Sequence, residues 1–187
     1  ALRYAARCRH PAVGRLNSGV RPHITMHHIL NSQTFGIDFN RYASYVESIR
    51  HKIPEHVYAF ASNPRHFDLI SHSSLHDSWI ETLTVREVKE STNNEMRKLE
   101  IMLRLFGPFH DRYINIRYVG VTQYSFVMPS RIGHPRYQHI SHGDLYTHEI
   151  CMDTDGLLTH EILFEGDSTL IIVCTDFVHF EEMANAA

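Results

Sequence analysis

Residues 157–174 have the sequence LLTHEILFEGDSTLIIVC, and this stretch decides the fold class. Two apolar runs, Leu157–Phe164 and Leu170–Cys174, flank the turn pair Gly166-Asp167. Apolar runs of strand length on either side of a Gly-Asp pair are typical of a tight antiparallel hairpin. The sequence therefore predicts that the chain ends in antiparallel strands, the last of which covers Thr169–Phe180.

Strand signals separated by short turns continue upstream of this hairpin. A strand over Leu145–Met152 is joined to it through the turn pair Asp155-Gly156. Earlier strands are predicted over Trp79–Val88, Met96–Phe106, Tyr113–Val121 and Gln123–Met128, the last two forming one long or two short strands. Because consecutive strands are joined by short turns, we expect a six- or seven-stranded, mainly antiparallel meander sheet. The sequence does not decide whether this sheet stays open or rolls into a half-barrel.

A helical pattern precedes the strands. Asp38 is a good N-cap, and apolar residues follow it at spacings of three and four: Phe39, Tyr42, Tyr45, Val46 and Ile49. Pro54 suits the first turn of a second helix that ends before Asn63-Pro64. We therefore predict an α+β fold, with N-terminal helices within 38–70 packed on a sheet that covers 78–180. A single domain would span 26–182, followed by a tail at 183–187.

The charge of the chain changes abruptly at Asp38. The first 37 residues hold five arginines and no acid, so the remainder, with 13 Lys+Arg against 21 Asp+Glu, has a net charge of −8. Residues 1–25 also lack hydrophobic periodicity. We expect them to form a basic extension that is disordered or foreign to the native protein, whose natural start would be Met26. A transit peptide and a basic arm that binds the acidic domain are the alternatives.

Composition narrows the class of protein. An acidic domain repels phosphate backbones, which argues against a nucleic-acid partner. No run of 18 apolar residues is present, so no membrane span is expected. The three cysteines are scattered, which argues against a disulfide framework and favours a reducing, cytoplasmic location. No Gly-rich phosphate loop follows a strand and no serine occupies a nucleophile elbow, so an enzyme is the less favoured class.

Histidine is abundant, with 16 residues, and supplies the candidate metal site. His134, His139, His142 and His148 cluster within 15 residues around the Gly143-Asp144 turn. Structural zinc is held by four such ligands in a tetrahedral arrangement. Because these spacings match no zinc signature, we expect no cofactor, and a zinc site in the 134–148 loop is the alternative. The sequence gives no indication of a small-molecule ligand.

His76 and Asp77 lie where the predicted helices give way to the sheet. A His-Asp pair occurs in metal-dependent phosphohydrolases, but there it lies on a helix, whereas a strand follows here. We therefore expect both side chains to hydrogen-bond the backbone at the start of that strand. Trp79 would pack in the core.

The tetrapeptide Thr147–Ile150 (THEI) recurs as Thr159–Ile162 on the next predicted strand. With a loop of two or four residues, each histidine lies opposite the glutamate of the other copy, which gives two cross-strand charge pairs. A three-residue loop with a glycine bulge shifts the register by one residue and removes both pairs. A His–carboxylate pair could serve as a general base or a metal site, but stabilisation of the sheet is the expected role.

Arginine and tyrosine are concentrated in the middle strands and the loop that follows them. This is the composition of hot spots in protein interfaces. The candidate partner-binding residues are Arg131, Arg136, Tyr137 and Tyr124. Single-stranded nucleic acid could also stack on such residues, but the acidic charge favours a protein partner.

Three segments, Leu75–Trp79, Leu157–Phe164 and Leu170–Phe180, together resemble small uncharacterised bacterial α+β proteins, some of which are grouped with polymorphic-toxin immunity proteins. The resemblance covers about residues 27–182 and assigns no site residue. It implies a cytoplasmic, non-enzymatic protein that binds another protein. The acidic charge of the domain suits a basic toxin as that partner. Self-association through an exposed sheet edge is a further hypothesis. The alternative is a His-dependent metal-binding protein or metallohydrolase that uses the 134–148 loop.

Overall fold

The computed structural model describes residues 26–30, 36–89, 96–129 and 141–184. Within these ranges it contains two α-helices, α1 (Phe39–Ile49) and α2 (Glu55–Ala61), and eight strands. The strands are β1 (Trp79–Lys89), β2 (Arg97–Phe106), β3 (Arg112–Val119), β4 (Gln123–Val127), β5 (Leu145–Met152), β6 (Leu158–Phe164), β7 (Thr169–Cys174) and β8 (Asp176–Met183). The predicted α+β class, with helices before strands, is confirmed. None of the described helices is long and apolar enough to cross a membrane.

The strands form two four-stranded antiparallel sheets. Sheet 1 has the strand order β1-β2-β3-β8, and sheet 2 has the order β4-β7-β6-β5. The sequence predicted six or seven strands in one sheet, whereas the described residues form eight strands in two sheets. The difference arises partly at Thr175, which divides the predicted strand Thr169–Phe180 into β7 and β8. The described strands do not close into a barrel, and the half-barrel is not confirmed.

A corner formed by Gly120 and Thr175 leads from one sheet to the other. β3 pairs with β8 in sheet 1, and β4 pairs with β7 in sheet 2. The segment that joins β3 to β4 and the segment that joins β7 to β8 therefore lie side by side at this corner. The Thr175 backbone N–H donates to the carbonyl oxygens of Val119, at 3.3 Å, and of Gly120, at 3.2 Å. Gly120 has a φ of +59°, and a Cβ at this position would overlap the Thr175 side chain. Glycine is therefore required for both the backbone conformation and the close approach.

The apolar core lies between the inner faces of the sheets and the helices. Alternate residues of β2 and β3 are fully buried, as expected when only one face of a sheet is covered. The core residues of sheet 1 include Ile101, Leu103, Leu105, Ile114 and Ile116. Those of sheet 2 and the helices include Ile150, Ile162, Leu170, Ile172, Val46, Val57 and Phe60.

Helix α1 lies against the edge strand β5. Its predicted N-cap is confirmed, since Asp38 Oδ1 accepts a hydrogen bond from a first-turn backbone N–H at 3.0 Å. The Tyr42 and Tyr45 hydroxyl oxygens accept hydrogen bonds, each of 2.9 Å, from the backbone N–H groups of Ile150 and Met152. These bonds satisfy N–H groups at the sheet edge that would otherwise be available to another strand.

The β5–β6 register places two buried glutamates opposite each other. Glu149 pairs with Glu161, whereas the histidine of each THEI copy lies opposite an isoleucine. The Met152–Leu158 pair leaves a loop at 153–157, so the register is shifted by one residue from the one that would form charge pairs. The predicted His–Glu cross-strand pairs are therefore absent from this hairpin.

Glu149 is bound instead by a segment from the other end of the chain. Its carboxylate accepts hydrogen bonds of 2.8, 3.1 and 2.9 Å from the backbone N–H groups of His27, His28 and Ile29. Hydrogen bonds to an ionised group are stronger than neutral ones, and they satisfy a side chain that is only 1% exposed. Met26 and Ile29 are buried in the core beside this contact.

Candidate functional site

An open groove of about 390 Å³ lies at the start of β1, where the helices give way to the sheets. Its lining residues are Trp79, Ile80, Ser141, His142, Gly143 and Asp144, and we call it the Trp79 groove. Trp79 is 36% exposed and packs against Phe106, with the ring centroids 5.2 Å apart. The prediction that Trp79 lies in the core is therefore wrong, because one side of the indole borders the groove.

Backbone hydrogen bonds fix the segment that leads into β1. The Asp77 N–H donates to the Leu145 carbonyl at 3.0 Å, and the Leu145 N–H donates to the Ser78 carbonyl at 2.7 Å. These bonds join backbone groups only, and the predicted hydrogen bonds from the His76 and Asp77 side chains to the backbone stay a prediction. His76 Nδ1 lies 2.9 Å from Asp77 Oδ1, but without hydrogen-bond geometry, and it has no hydrogen-bond partner among the described residues.

The carboxyl group of Asp144 lines the groove, and those of Asp77 and Glu165 lie close enough to interact electrostatically with it. The Glu165 backbone N–H donates to the Asp144 carbonyl at 2.8 Å, so the turn after β6 lies beside the segment before β5. Burial raises the pKa of Asp144, and the negative charge of Asp77 raises it further. Burial also raises the pKa of Glu165, with smaller contributions from Asp144 and Asp77. Because these carboxyl groups repel one another's charge, a cation placed among them would be stabilised.

His142 forms another wall of the groove. Its ring stacks on Phe126, with centroids 4.2 Å apart, and its Nδ1 lies 3.1 Å from Ser168 Oγ. The following Gly143 has a φ of +80°, and a Cβ there would lie 3.1 Å from the Gly166 backbone nitrogen. The glycine therefore allows the 141–144 segment to lie directly against the turn after β6.

His148, which the sequence grouped with the loop histidines, belongs to a buried cluster in the core. Four histidine rings surround Phe60, namely His66, His148, His160 and His179. His160 joins two neighbours, because its Nε2 lies 3.2 Å from His148 Nδ1 and its Nδ1 lies 2.6 Å from the Tyr118 hydroxyl. Burial lowers the pKa of all four imidazoles, that of His66 to about 4 and that of His160 to about 3. These histidines are therefore neutral at pH 7.

The chain matches no protein-family model and no curated protein sequence. Its function is therefore inferred from the geometry of the described residues. In the Trp79 groove, an exposed indole and the carboxyl group of Asp144 line the same space, an arrangement that can hold a cationic group.

The alternative hypothesis, a zinc site in the 134–148 loop, needs four histidines. The structure describes two of them, and these two lie in different parts of the fold. His134 and His139 lie outside the described residues. His142 contacts Phe126 and Ser168, whereas His148 contacts His160 in the core. Across 26–30, 36–89, 96–129 and 141–184, no group of three or more His, Cys, Asp or Glu side chains is arranged to hold a metal ion.

Only one of the predicted partner-binding residues is among the described ones. Tyr124 lies on the edge strand β4 and is 45% exposed. Arg131, Arg136 and Tyr137 lie outside the described residues, so their role stays a prediction.

The sequence did not identify Asp144 and Glu165 as site residues. They are 21 positions apart and meet only because two turns lie side by side. Asp144 follows Gly143 and Glu165 precedes Gly166, so the sequence signal for each acid was its position beside a turn glycine. A turn signal indicates where the chain reverses, but it does not indicate which turns become neighbours.

Proposed function

We propose that the chain is a non-enzymatic protein-binding domain, and that the Trp79 groove accepts a lysine or arginine side chain of a basic protein partner. The observation that supports this proposal is that a partly exposed indole and Asp144 line one groove, with Asp77 and Glu165 close enough to interact electrostatically with Asp144. A cation over an indole face gains about 0.5–2 kcal/mol. Carboxylates beside it add charge-assisted hydrogen bonds.

The overall charge supports the same class of partner. The chain from Asp38 onward has a net charge of −8, which speeds the approach of a basic protein and makes the association dependent on salt. A basic toxin has the charge that complements this acidic chain. We also propose a cytoplasmic location, since Cys151 and Cys174 are free thiols.

The proposal is tested with a fluorescein-labelled hexa-arginine peptide and the full chain, by fluorescence anisotropy at low salt. Trp79→Ala and Asp144→Asn each remove one part of the groove. Asp155→Asn is the matched control, because Asp155 is exposed in the 153–157 loop at the opposite end of β5 from Asp144. Eight strand residues separate the two ends by roughly 26 Å.

We expect each groove variant to weaken peptide binding about fivefold, which corresponds to about 1 kcal/mol, and Asp155→Asn to leave it unchanged. A hexa-citrulline peptide, which lacks the positive charges, should not bind. If Asp155→Asn weakens binding as much as Asp144→Asn does, the attraction is diffuse and the groove is not the site. Unaltered binding by Trp79→Ala would also refute the proposal.

A further inference from the structure

His110 lies against the indole of Trp79, although it is not one of the residues that line the Trp79 groove. The centroids of the two rings are 4.6 Å apart. The imidazole also stacks on Phe106, with the centroids 5.2 Å apart and the ring planes at 10°. His110 is exposed, so its ring can exchange protons with water. The indole that borders the groove therefore has a titratable histidine as its direct neighbour.

A tight turn holds His110 in this position. Its backbone has a φ of +59°, and its N–H donates to the Gly107 carbonyl at 2.9 Å. The other non-glycine residues with a left-handed φ in the described part of the chain are Asp77, just before β1, and Asp167, in the turn after β6. Both of these segments lie beside the groove. Left-handed conformations of non-glycine residues concentrate at functional sites, which supports a role for all three residues there.

His110 also interacts electrostatically with the carboxyl group that lines the groove. Burial raises the pKa of Asp144, and the charge of Asp77 adds to this effect. Positive charge on His76 or His110 acts in the opposite direction. The carboxylate of Asp144 is therefore a counter-charge for a protonated His110.

The other charged groups around His110 are engaged in ion pairs of their own. They lie on the turn that follows β2 and on the outer face of sheet 1. Asp111 pairs with Arg112 and His72, and Arg104 pairs with Glu81 and Glu182.

We infer that His110 makes binding in the Trp79 groove dependent on pH, because its neutral ring leaves the groove available to a partner's cation and its protonated ring weakens that binding. A protonated imidazole supplies a positive charge to the same indole and the same carboxylate as the lysine or arginine of the partner. Histidine is the side chain that changes charge between pH 5 and 8. The partner is thus bound at neutral pH and released in mildly acidic solution. This inference rests on the function proposed for the groove.

The first test needs no partner. Trp79 is the only tryptophan of the chain, and an indole in contact with a protonated imidazole loses fluorescence. We expect the emission of the wild type to fall between pH 7.5 and pH 6.0, and that of His110→Asn to fall much less. Asparagine is neutral and tolerates a left-handed backbone. Far-UV circular dichroism at both pH values verifies that each protein is folded.

The matched control in this titration is His76→Asn. His76 also acts on Asp144, but its ring neighbours Tyr146, with the centroids 6.1 Å apart. This variant should therefore keep the decrease in fluorescence that the wild type shows.

The second test measures binding of the fluorescein-labelled hexa-arginine peptide at low salt and the same two pH values. The wild type should bind about fivefold more weakly at pH 6.0 than at pH 7.5. His110→Asn should lose only about twofold, the part that comes from protonation of Asp144 and Glu165. His110→Lys carries a positive charge at both pH values, so at pH 7.5 it should bind about fivefold more weakly than the wild type.

The outcomes separate this inference from the function on which it rests. If the wild type does not bind the peptide at pH 7.5, or if Trp79→Ala binds it equally well, the proposed function fails and the inference fails with it. If the peptide binds at pH 7.5 but His110→Asn shows the pH dependence of the wild type, only the inference is overturned. A wild-type fluorescence that does not change, or a folded His110→Lys that binds like the wild type at pH 7.5, overturns it as well.

Discussion

Lowering the pH from 7 to 5 should destabilise this protein strongly, through the four histidines that surround Phe60. His66, His148, His160 and His179 connect the segment after α2 to β5, β6 and β8. His66 Nδ1 lies 3.0 Å from the Phe60 carbonyl oxygen and His66 Nε2 lies 3.2 Å from Asn63 Nδ2, which suits a neutral ring. A proton added to any of these rings creates a charge in the core.

The magnitude follows from the difference in pKa between the folded and unfolded states. An unfolded imidazole has a pKa of about 6.5, whereas burial lowers the pKa of His66 to about 4 and that of His160 to about 3. Below pH 6.5 the unfolded chain therefore binds more protons, and stability falls as the pH falls. At pH 5 each of these two residues lowers the free energy of unfolding by about 2 kcal/mol, or about 4 kcal/mol together. His148 and His179 act in the same direction.

The assay is urea denaturation, followed by far-UV circular dichroism at pH 7 and pH 5 at constant ionic strength. His160→Gln removes one titrating group and keeps a hydrogen-bond donor and an acceptor. Between pH 7 and pH 5, its free energy of unfolding should therefore fall by about 2 kcal/mol less than that of the wild type. His51→Gln is the control, because His51 is exposed. Asp144 and Glu165 have raised pKa values and oppose the loss, but they do so equally in all three proteins.

Two results would refute this reasoning. One is a wild type that loses less than about 1 kcal/mol between pH 7 and pH 5. The other is a His160→Gln protein that loses as much as the wild type, which would mean that this ring does not titrate in the range considered.

Two further predictions concern the fold. Gly120→Ala should destabilise the protein by about 2–3 kcal/mol, because the backbone there is left-handed and the new Cβ displaces the Thr175 side chain. Gly156→Ala should destabilise it by only about 1 kcal/mol, because nothing lies within 4 Å of a Cβ at that position. Equal midpoints in urea for these two variants would contradict the role of the corner. Tyr42→Phe should cost about 2 kcal/mol by leaving the buried Ile150 N–H without a partner, and a thermal melt unchanged from the wild type would count against that hydrogen bond.

The strands were predictable because their signals are local. In β2 and β3, apolar and polar residues alternate along the chain, and the Gly166-Asp167 pair marks a turn between adjacent strands. The division into two sheets was not predictable in this way. Thr175 follows an unbroken apolar run, and the corner depends on its contact with Gly120, which is 55 positions away.

The candidate site was predictable only in part. His76 and Asp77 were noticed because a helical pattern changes there to a strand pattern, and the structure places Trp79 beside them at a groove. The burial of His148 could not be foreseen from its polarity. A neutral imidazole is tolerated in the core because His160 supplies a hydrogen-bond partner that lies on a different strand.

The contact between Glu149 and residues 27–29 has a consequence for the order of folding. In isolation, the β5–β6 hairpin could adopt the register with two His–Glu pairs, each worth a few tenths of a kcal/mol to about 1 kcal/mol. In the native register Glu149 is buried opposite Glu161, and its hydrogen-bond donors come from a segment about 120 positions earlier in the chain. Closing a loop of that length costs about 4 kcal/mol of chain entropy, and contacts of high sequence separation form slowly. We therefore expect the β5–β6 hairpin to reach its final register late, after the two ends of the domain have met.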